Sequence, residues 1–197
     1  MSDLPNDHSR SSSQRVLVLF AHPALEKSRV NRLMIEGVDT IEGVTFHDLY
    51  EAYPDFDIDV GREQTLLSEH DIVVLHHPFY WYSTPALVKQ WEDLVLEHGW
   101  AYGHEGNALR DKALMSVITT GGRESAYQPG GYNRYSIHDL LRPIEQTARL
   151  CGMRYLDPFI VYGTLAMPHD EVLEHASRYR ALLRRLTRGE ARTVEEG

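Results

Sequence analysis

The sequence predicts an α/β fold: a three-layer sandwich in which helices cover both faces of a five-stranded parallel sheet of order 2-1-3-4-5. Three observations predict it. Short, continuous apolar runs recur along the chain, as strands covered on both faces require. Amphipathic helical patterns fill the gaps, and regular alternation of strand and helix implies parallel pairing through helical crossovers. The length of 197 residues suits one domain with a sizeable core. Five strands favour the 2-1-3-4-5 order over a six-stranded dinucleotide fold.

Order is expected from Arg15. Residues 1–14 are polar and serine-rich, lack the apolar core of a signal peptide, and read as a disordered extension. Val16-Leu17-Val18-Leu19-Phe20 is the first strand. A helix follows, with Val30, Leu33, Met34 and Val38 on one face. Val44 to Leu49 alternates and suits a strand nearer an edge, whereas Ile72 to His76 is again apolar throughout. Pro85 to Glu97 puts Leu87, Val88, Trp91, Leu94 and Val95 on one helical face, with Thr84 as its expected cap and Pro85 as its first residue. Leu114 to Thr119 is the fourth strand, and Ser136 to Leu150 is helical. Tyr155 to Val161 is the fifth strand; Pro158 marks it as irregular or at an edge. The last helix, from about His169, opens with Asp170-Glu171 and closes with Arg184-Arg185, the polarity its dipole favours. Residues 189–197 form a polar tail, which leaves 15–188 as the domain.

Composition narrows the function. A net charge of −9 argues against a nucleic-acid binder and against an anionic lipid surface. The one cysteine, Cys151, excludes an internal disulfide, suits a reducing cytoplasm and reads as a small buried hydrophobe. No apolar run approaches the ~20 residues of a membrane span. Eleven histidines raise the thought of a metal hydrolase. There is no HExxH pair, His76 and His77 are adjacent and so face opposite sides of a strand, and no GxSxG elbow appears. No metal site is expected, and most of the histidines are assigned to loops, caps or the surface.

In such a sheet, ligands sit beyond the carboxyl ends of the strands, which singles out the loops after the first, third and fourth strands. The first runs from Ala21 to Asn31, with Ser28 as a helix cap that leaves amides free for an anion. It carries neither GxGxxG nor a Walker lysine. The second, His76 to Pro85, holds Phe79-Tyr80-Trp81-Tyr82; four consecutive aromatics cannot all face inward, and exposed ones suit a planar ligand. The third, Thr119-Thr120-Gly121-Gly122-Arg123, pairs glycines after a strand, so backbone can approach a ligand closely. Phosphate, flat ring and ring carbonyls together describe a flavin.

With these loops in place, the chain resembles the flavodoxin-fold NAD(P)H:quinone oxidoreductases, and especially the bacterial ancillary flavoproteins of glutathione-regulated potassium-efflux systems. The resemblance rests on Ala21-His22-Pro23 with Ser28 and Asn31, on Tyr53-Pro54-Asp55-Phe56, on His77-Pro78 with Trp81-Tyr82-Ser83, on His98-Gly99-Trp100-Ala101-Tyr102-Gly103, and on Thr119-Thr120-Gly121-Gly122. It implies a flavodoxin-like domain that binds FMN, with FAD as the alternative, and uses NADH or NADPH to reduce quinones by a ping-pong relay. His22, Ser28, Arg29, Val30 and Asn31 would hold the phosphate and ribityl chain. Phe79, Tyr80, Trp81 and Tyr82 would line the ring, and Thr119, Thr120, Gly121 and Gly122 would donate to its pyrimidine end. Tyr127 would lie over it as the catalytic residue, and Arg123 is a candidate for a 2′-phosphate. The resemblance also implies a homodimer, to which Tyr53–Phe56 and Trp100–Gly103 contribute, and a membrane potassium-efflux transporter as a partner, which would hold a cytoplasmic protein at the inner face of the membrane. Two departures stand out: Tyr80 replaces a glutamine common in the family, and the histidine that some members pair with the tyrosine has no counterpart beyond Asn133 or His138.

Overall fold

A computed structural model describes residues 13–190. The strands are β1 (Val16–Phe20), β2 (Val44–Asp48), β3 (Ile72–Pro78), β4 (Ala113–Thr119) and β5 (Arg154–Val161). The helices are α1 (Arg29–Ile35), α2 (Leu49–Ala52), α3 (Val60–Glu69), α4 (Ala86–Val95), α5 (Ile137–Leu150) and α6 (His169–Thr187). All five strands pair in parallel in the order β2-β1-β3-β4-β5, as the sequence predicts.

The apolar runs have a simple cause. β1 and β3 are buried along their whole length because helices cover both faces. Leu17, Leu19, Val73 and Leu75 pack against α3, α4 and α5, through Leu67, Leu87, Val88, Trp91, Leu141 and Ala148. Val16, Val18, Phe20 and Val74 face the other way, onto Val30 and Met34 of α1 and Val172, Ala176, Tyr179 and Leu183 of α6. The strand period of two divides one apolar run between two cores. β2 and β5 are the edges, and the β4–β5 register slips between Met115 and Val117, opposite the segment that carries Pro158.

Three local readings differ from the structure. α1 stops at Ile35, because Gly37 turns left-handed at φ 72° and breaks the helix before Val38. Val38 stays buried, but in a following 3-10 turn. α4 begins at Ala86: Pro85 keeps an extended ψ of 150°, and no side chain caps this helix, so Thr84 does not play the expected part. Between β2 and β3, where no residues were assigned to a helix, lie α2 and α3, capped by Asp48 and Asp59. The expected N-terminal extension lies outside the described residues as far as residue 12; the Gln14 amide donates to the Thr187 carbonyl at 2.9 Å. The expected tail lies outside them from residue 191. No helix among the described residues is long and apolar enough to cross a membrane.

Candidate functional site

The loops after β1, β3 and β4 meet at one edge of the sheet, because the parallel register aligns Phe20, His76 and Val117 across the three strands. The first wall of this crevice starts at His22, which is buried. Its Nδ1 accepts from the Ala24 amide at 3.1 Å, and burial lowers its pKa, so the neutral ring keeps Nε2–H as its donor. Ser28 caps α1 by accepting from the Asn31 amide. Val30 turns its side chain into the core, so only its backbone can meet a ligand. The Arg29 guanidinium donates to the Met167 carbonyl, ahead of α6. Asn31 is 3% exposed, and its amide spans Ser28 Oγ (2.9 Å), Thr119 Oγ1 (3.0 Å) and His76 Nε2 (3.1 Å), joining all three loops.

The second wall is the aromatic turn. Phe79 donates its amide to the Thr119 carbonyl and sets its ring against Tyr127, 6.2 Å away. Tyr80 and Ser83 then exchange two backbone hydrogen bonds of 3.2 and 2.9 Å around Trp81 and Tyr82. Both central residues have positive φ, 49° and 64°, the mark of a type I′ turn that ordinarily takes Asn-Gly. Each bulky residue there costs about 1–2 kcal/mol. Trp81 is 93% exposed at the tip, so its own burial does not offset that cost. The amides of Trp81 and Tyr82 have no acceptor among the described residues. The Tyr82 hydroxyl donates to Asn133 Oδ1 at 3.2 Å and ties the turn to the next wall. Replacing Trp81-Tyr82 with Asn-Gly should raise the unfolding free energy by about 1–2 kcal/mol in urea melts, because the turn would then suit its residues. A loss of stability would mean that the rings contribute more to folding than their strain removes.

The third wall is Thr119 to Tyr127. Thr119 and Thr120 are both 3% exposed. A Cβ on Gly122 would lie 2.8 Å from the Tyr127 ring, so the tyrosine closes over this backbone only because the residue is glycine. The Tyr127 hydroxyl bonds Thr120 Oγ1 at 2.7 Å, and that oxygen also accepts from the Gly122 amide at 3.3 Å. Arg123 is exposed beside it.

The structure therefore brings His22, Ser28, Asn31, the aromatic turn, Thr119 to Gly122 and Tyr127 to one edge. It also adds residues that the sequence reading missed. Tyr162 lies 5.9 Å from Tyr127, and burial pushes its hydroxyl pKa up. It follows the end of β5, a strand end outside the three loops singled out. Of the two stand-ins considered for the missing histidine, Asn133 reaches Tyr82, while His138 is exposed at the start of α5. A separate groove of about 340 Å³ lies between α4 and α5. Among the described residues no group of three or more His, Cys, Asp or Glu could hold a metal ion. An exposed indole, two free turn amides and a glycine-permitted approach suit a flat heterocycle with acceptor atoms on its rim.

Known proteins share this fold. A family described as having a flavodoxin-like fold matches residues 14–183. The chain is 49% identical, over 88% of its length and 95% of the relative's, to the glutathione-regulated potassium-efflux system ancillary protein KefG of Serratia proteamaculans. It is similar to the general stress protein 14 of Treponema denticola in complex with FMN, at 36% identity and a TM-score of 0.82, covering 86% of this chain and 97% of that one. It is also similar to an NADPH-quinone reductase from P. pentosaceus, at 32% identity and a TM-score of 0.78, covering 93% of this chain and 99% of that one.

Proposed function

We propose, because this chain belongs to the family with the flavodoxin-like fold, that it is a flavin-dependent NAD(P)H:quinone reductase. The observation that carries the reading is the strained aromatic turn, which holds Trp81 exposed and two amides free beside Gly121, Gly122 and Tyr127. Backbone strain of this kind clusters at functional sites. The FMN complex of one similar protein and the reductase activity named for another support it.

FMN fits the walls. The Trp81 and Tyr82 amides and the backbone of Thr120 to Gly122 would meet the polar rim of the ring, and His22 Nε2–H with the Ser28 hydroxyl would meet the phosphate and ribityl oxygens. When bound, the flavin supplies two-electron chemistry, accepting a hydride from NAD(P)H and passing it to a quinone. The residues supply the rest. Amides that met the pyrimidine rim would stabilise negative charge there. Thr120 accepts from the Gly122 amide and can donate its own proton to Tyr127 Oη, which leaves the Tyr127 proton free for a quinone oxygen. Arg123 is the cation nearest this wall in sequence and would meet a 2′-phosphate if NADPH is the reductant. A second copy of the chain would cover the crevice, as the family resemblance implies.

The test is the visible spectrum of the purified protein. A bound flavin should bleach with NADH or NADPH under argon and recover on adding a quinone. Tyr127→Phe should lower quinone turnover about 10²-fold, the modest end of general-acid contributions, with flavin content unchanged. A colourless chain that takes up no flavin and oxidises no NAD(P)H would end this reading.

A second reading has its own support. The close match to an ancillary protein of a potassium-efflux system, over 95% of that protein, favours a cytoplasmic partner that docks on such a transporter at the membrane. Both roles are compatible. Co-purification with the transporter, retained by a variant without turnover, would separate docking from catalysis.

A further inference from the structure

His76 stands where the three walls join, yet it reaches no ligand. It is 0% exposed, at the carboxyl end of β3, between Phe20 and Tyr179, whose rings stand edge-on to it at 5.0 Å each. Its one polar partner is Asn31 Oδ1, 3.1 Å from Nε2. Its Nδ1 is buried with no partner among the described residues. An amide oxygen only accepts, so Nε2 must carry the ring's proton. Burial pushes the His76 pKa down to about 3, so at neutral pH the ring holds that single proton and Nδ1 is bare. A buried N–H with no acceptor is costlier than a buried acceptor with no donor, so a bare Nδ1 suits this packing better than a second N–H.

The sense of the Asn31 amide then has a consequence three residues away, at Ser28. With Oδ1 turned to His76, the amide N–H groups face Ser28 Oγ at 2.9 Å and Thr119 Oγ1 at 3.0 Å; the Thr119 hydroxyl, also 3.3 Å from Oδ1, can donate or accept and so leaves the sense of the amide to His76. Ser28 Oγ also accepts from the Asn31 backbone amide at 3.3 Å. Both lone pairs of Ser28 are engaged, and no group among the described residues takes its proton. Were the amide reversed, Ser28 would donate inward to Oδ1 and offer a ligand no proton.

We propose that His76 is a positioning residue: through one hydrogen bond it fixes the sense of the Asn31 amide, and so makes the Ser28 hydroxyl an outward donor to a ligand's anionic oxygen. This rests on the flavin reading for the identity of that ligand, and on the hydrogen-bond network alone for the relay. Leucine at 76 fills the space without a donor, whereas glutamine keeps an N–H.

Two measurements on the full chain decide it. The first is the tautomer of His76 from its ring ¹⁵N shifts, which should show Nε2 protonated and Nδ1 bare at pH 7. Protonated Nδ1 overturns the relay. The second compares FMN with riboflavin, which lacks the phosphate, in titrations of the wild type, His76→Leu and His76→Gln. His76→Leu should weaken FMN about tenfold more than riboflavin, the loss of one hydrogen bond of about 1.4 kcal/mol to a charged group, and His76→Gln should recover most of it. Equal losses for the two flavins, or none, would show that His76 only packs. A wild type that takes up no flavin overturns the proposed function instead, and the tautomer still decides the relay.

Discussion

Replacing Glu63 with alanine should lower the unfolding free energy by about 3–5 kcal/mol, the cost of removing one member of a buried charged network. Glu63 lies on α3 and is 0% exposed. Its Oε1 accepts from the Tyr53 hydroxyl at 2.6 Å and faces His47 Nε2 at 2.8 Å; its Oε2 accepts from Trp91 Nε1 at 2.8 Å. One carboxylate thus ties together β2, the end of α2, α3 and α4. Burial works to raise its pKa, but the bonds from His47, Tyr53 and Trp91 outweigh burial and lower it. Alanine would leave three buried donors without an acceptor, and a cavity besides. Glutamine would keep one oxygen and turn an NH₂ toward a donor, so Glu63→Gln should fall between alanine and the wild type. Urea unfolding at pH 7 gives the three values. Both variants within about 1 kcal/mol of the wild type would mean that the network is satisfied by water after relaxation. The neighbouring segment should feel the change as well. Tyr53 leads into the segment where Gln90 Nε2 donates to the Phe56 carbonyl at 2.8 Å and Phe56 meets Tyr50 edge-on.

Much of this architecture was legible because it follows from local periodicity. The five strand candidates became five strands, and Val16–Phe20 needed no adjustment, since a strand buried on both faces has no polar position to blur its ends. The site loops were legible because the strand order dictates which loops converge. What escaped depends on partners far along the chain. Most of the histidines were assigned to loops, caps or the surface, yet His47, His70, His76 and His77 lie in the interior. Each is held by a particular group: Glu63 for His47, the Leu66 carbonyl and Thr45 for His70, Asn31 for His76 and the Pro78 carbonyl for His77. No window of sequence shows that residues 31 and 76 touch. The left-handed turn was hidden for another reason. Trp81 and Tyr82 are residues that a turn of this type avoids, so only the surrounding hydrogen bonds reveal it. Local rules failed where the chain builds its site, and that is where failure is expected.

Acidification should test the buried histidines directly. Burial pushes His76 down to about 3 and His77 to about 4, from an ordinary 6.5. The folded pKa lies below the unfolded one. The unfolded chain therefore takes up protons below about pH 6.5 that the native state refuses until pH 4 or 3, so stability is full above 6.5 and drains away between 6.5 and 4. Each group costs about 1.4 kcal/mol per pH unit in that window, which makes about 4 kcal/mol for the pair at pH 5, a large part of an ordinary domain's stability. Burial lowers His22 and His70 as well, which adds to the same trend. Glu92 works against it. Burial raises that carboxyl to about 7, so the native state keeps a proton that the unfolded chain releases above its ordinary 4.5, and stability from this group grows as pH falls from 7. Glu92→Gln removes the offset. Urea midpoints at pH 7.5 and 5 should therefore fall in the wild type and fall further in Glu92→Gln; a Glu92→Gln midpoint equal at the two values would refute the burial of neutral histidines. Because His76 also holds the Asn31 amide, a bound flavin should leave along the unfolding curve and not ahead of it. Release at a higher pH than unfolding would mean that a group of the crevice, His22 first among them, titrates before the core gives way.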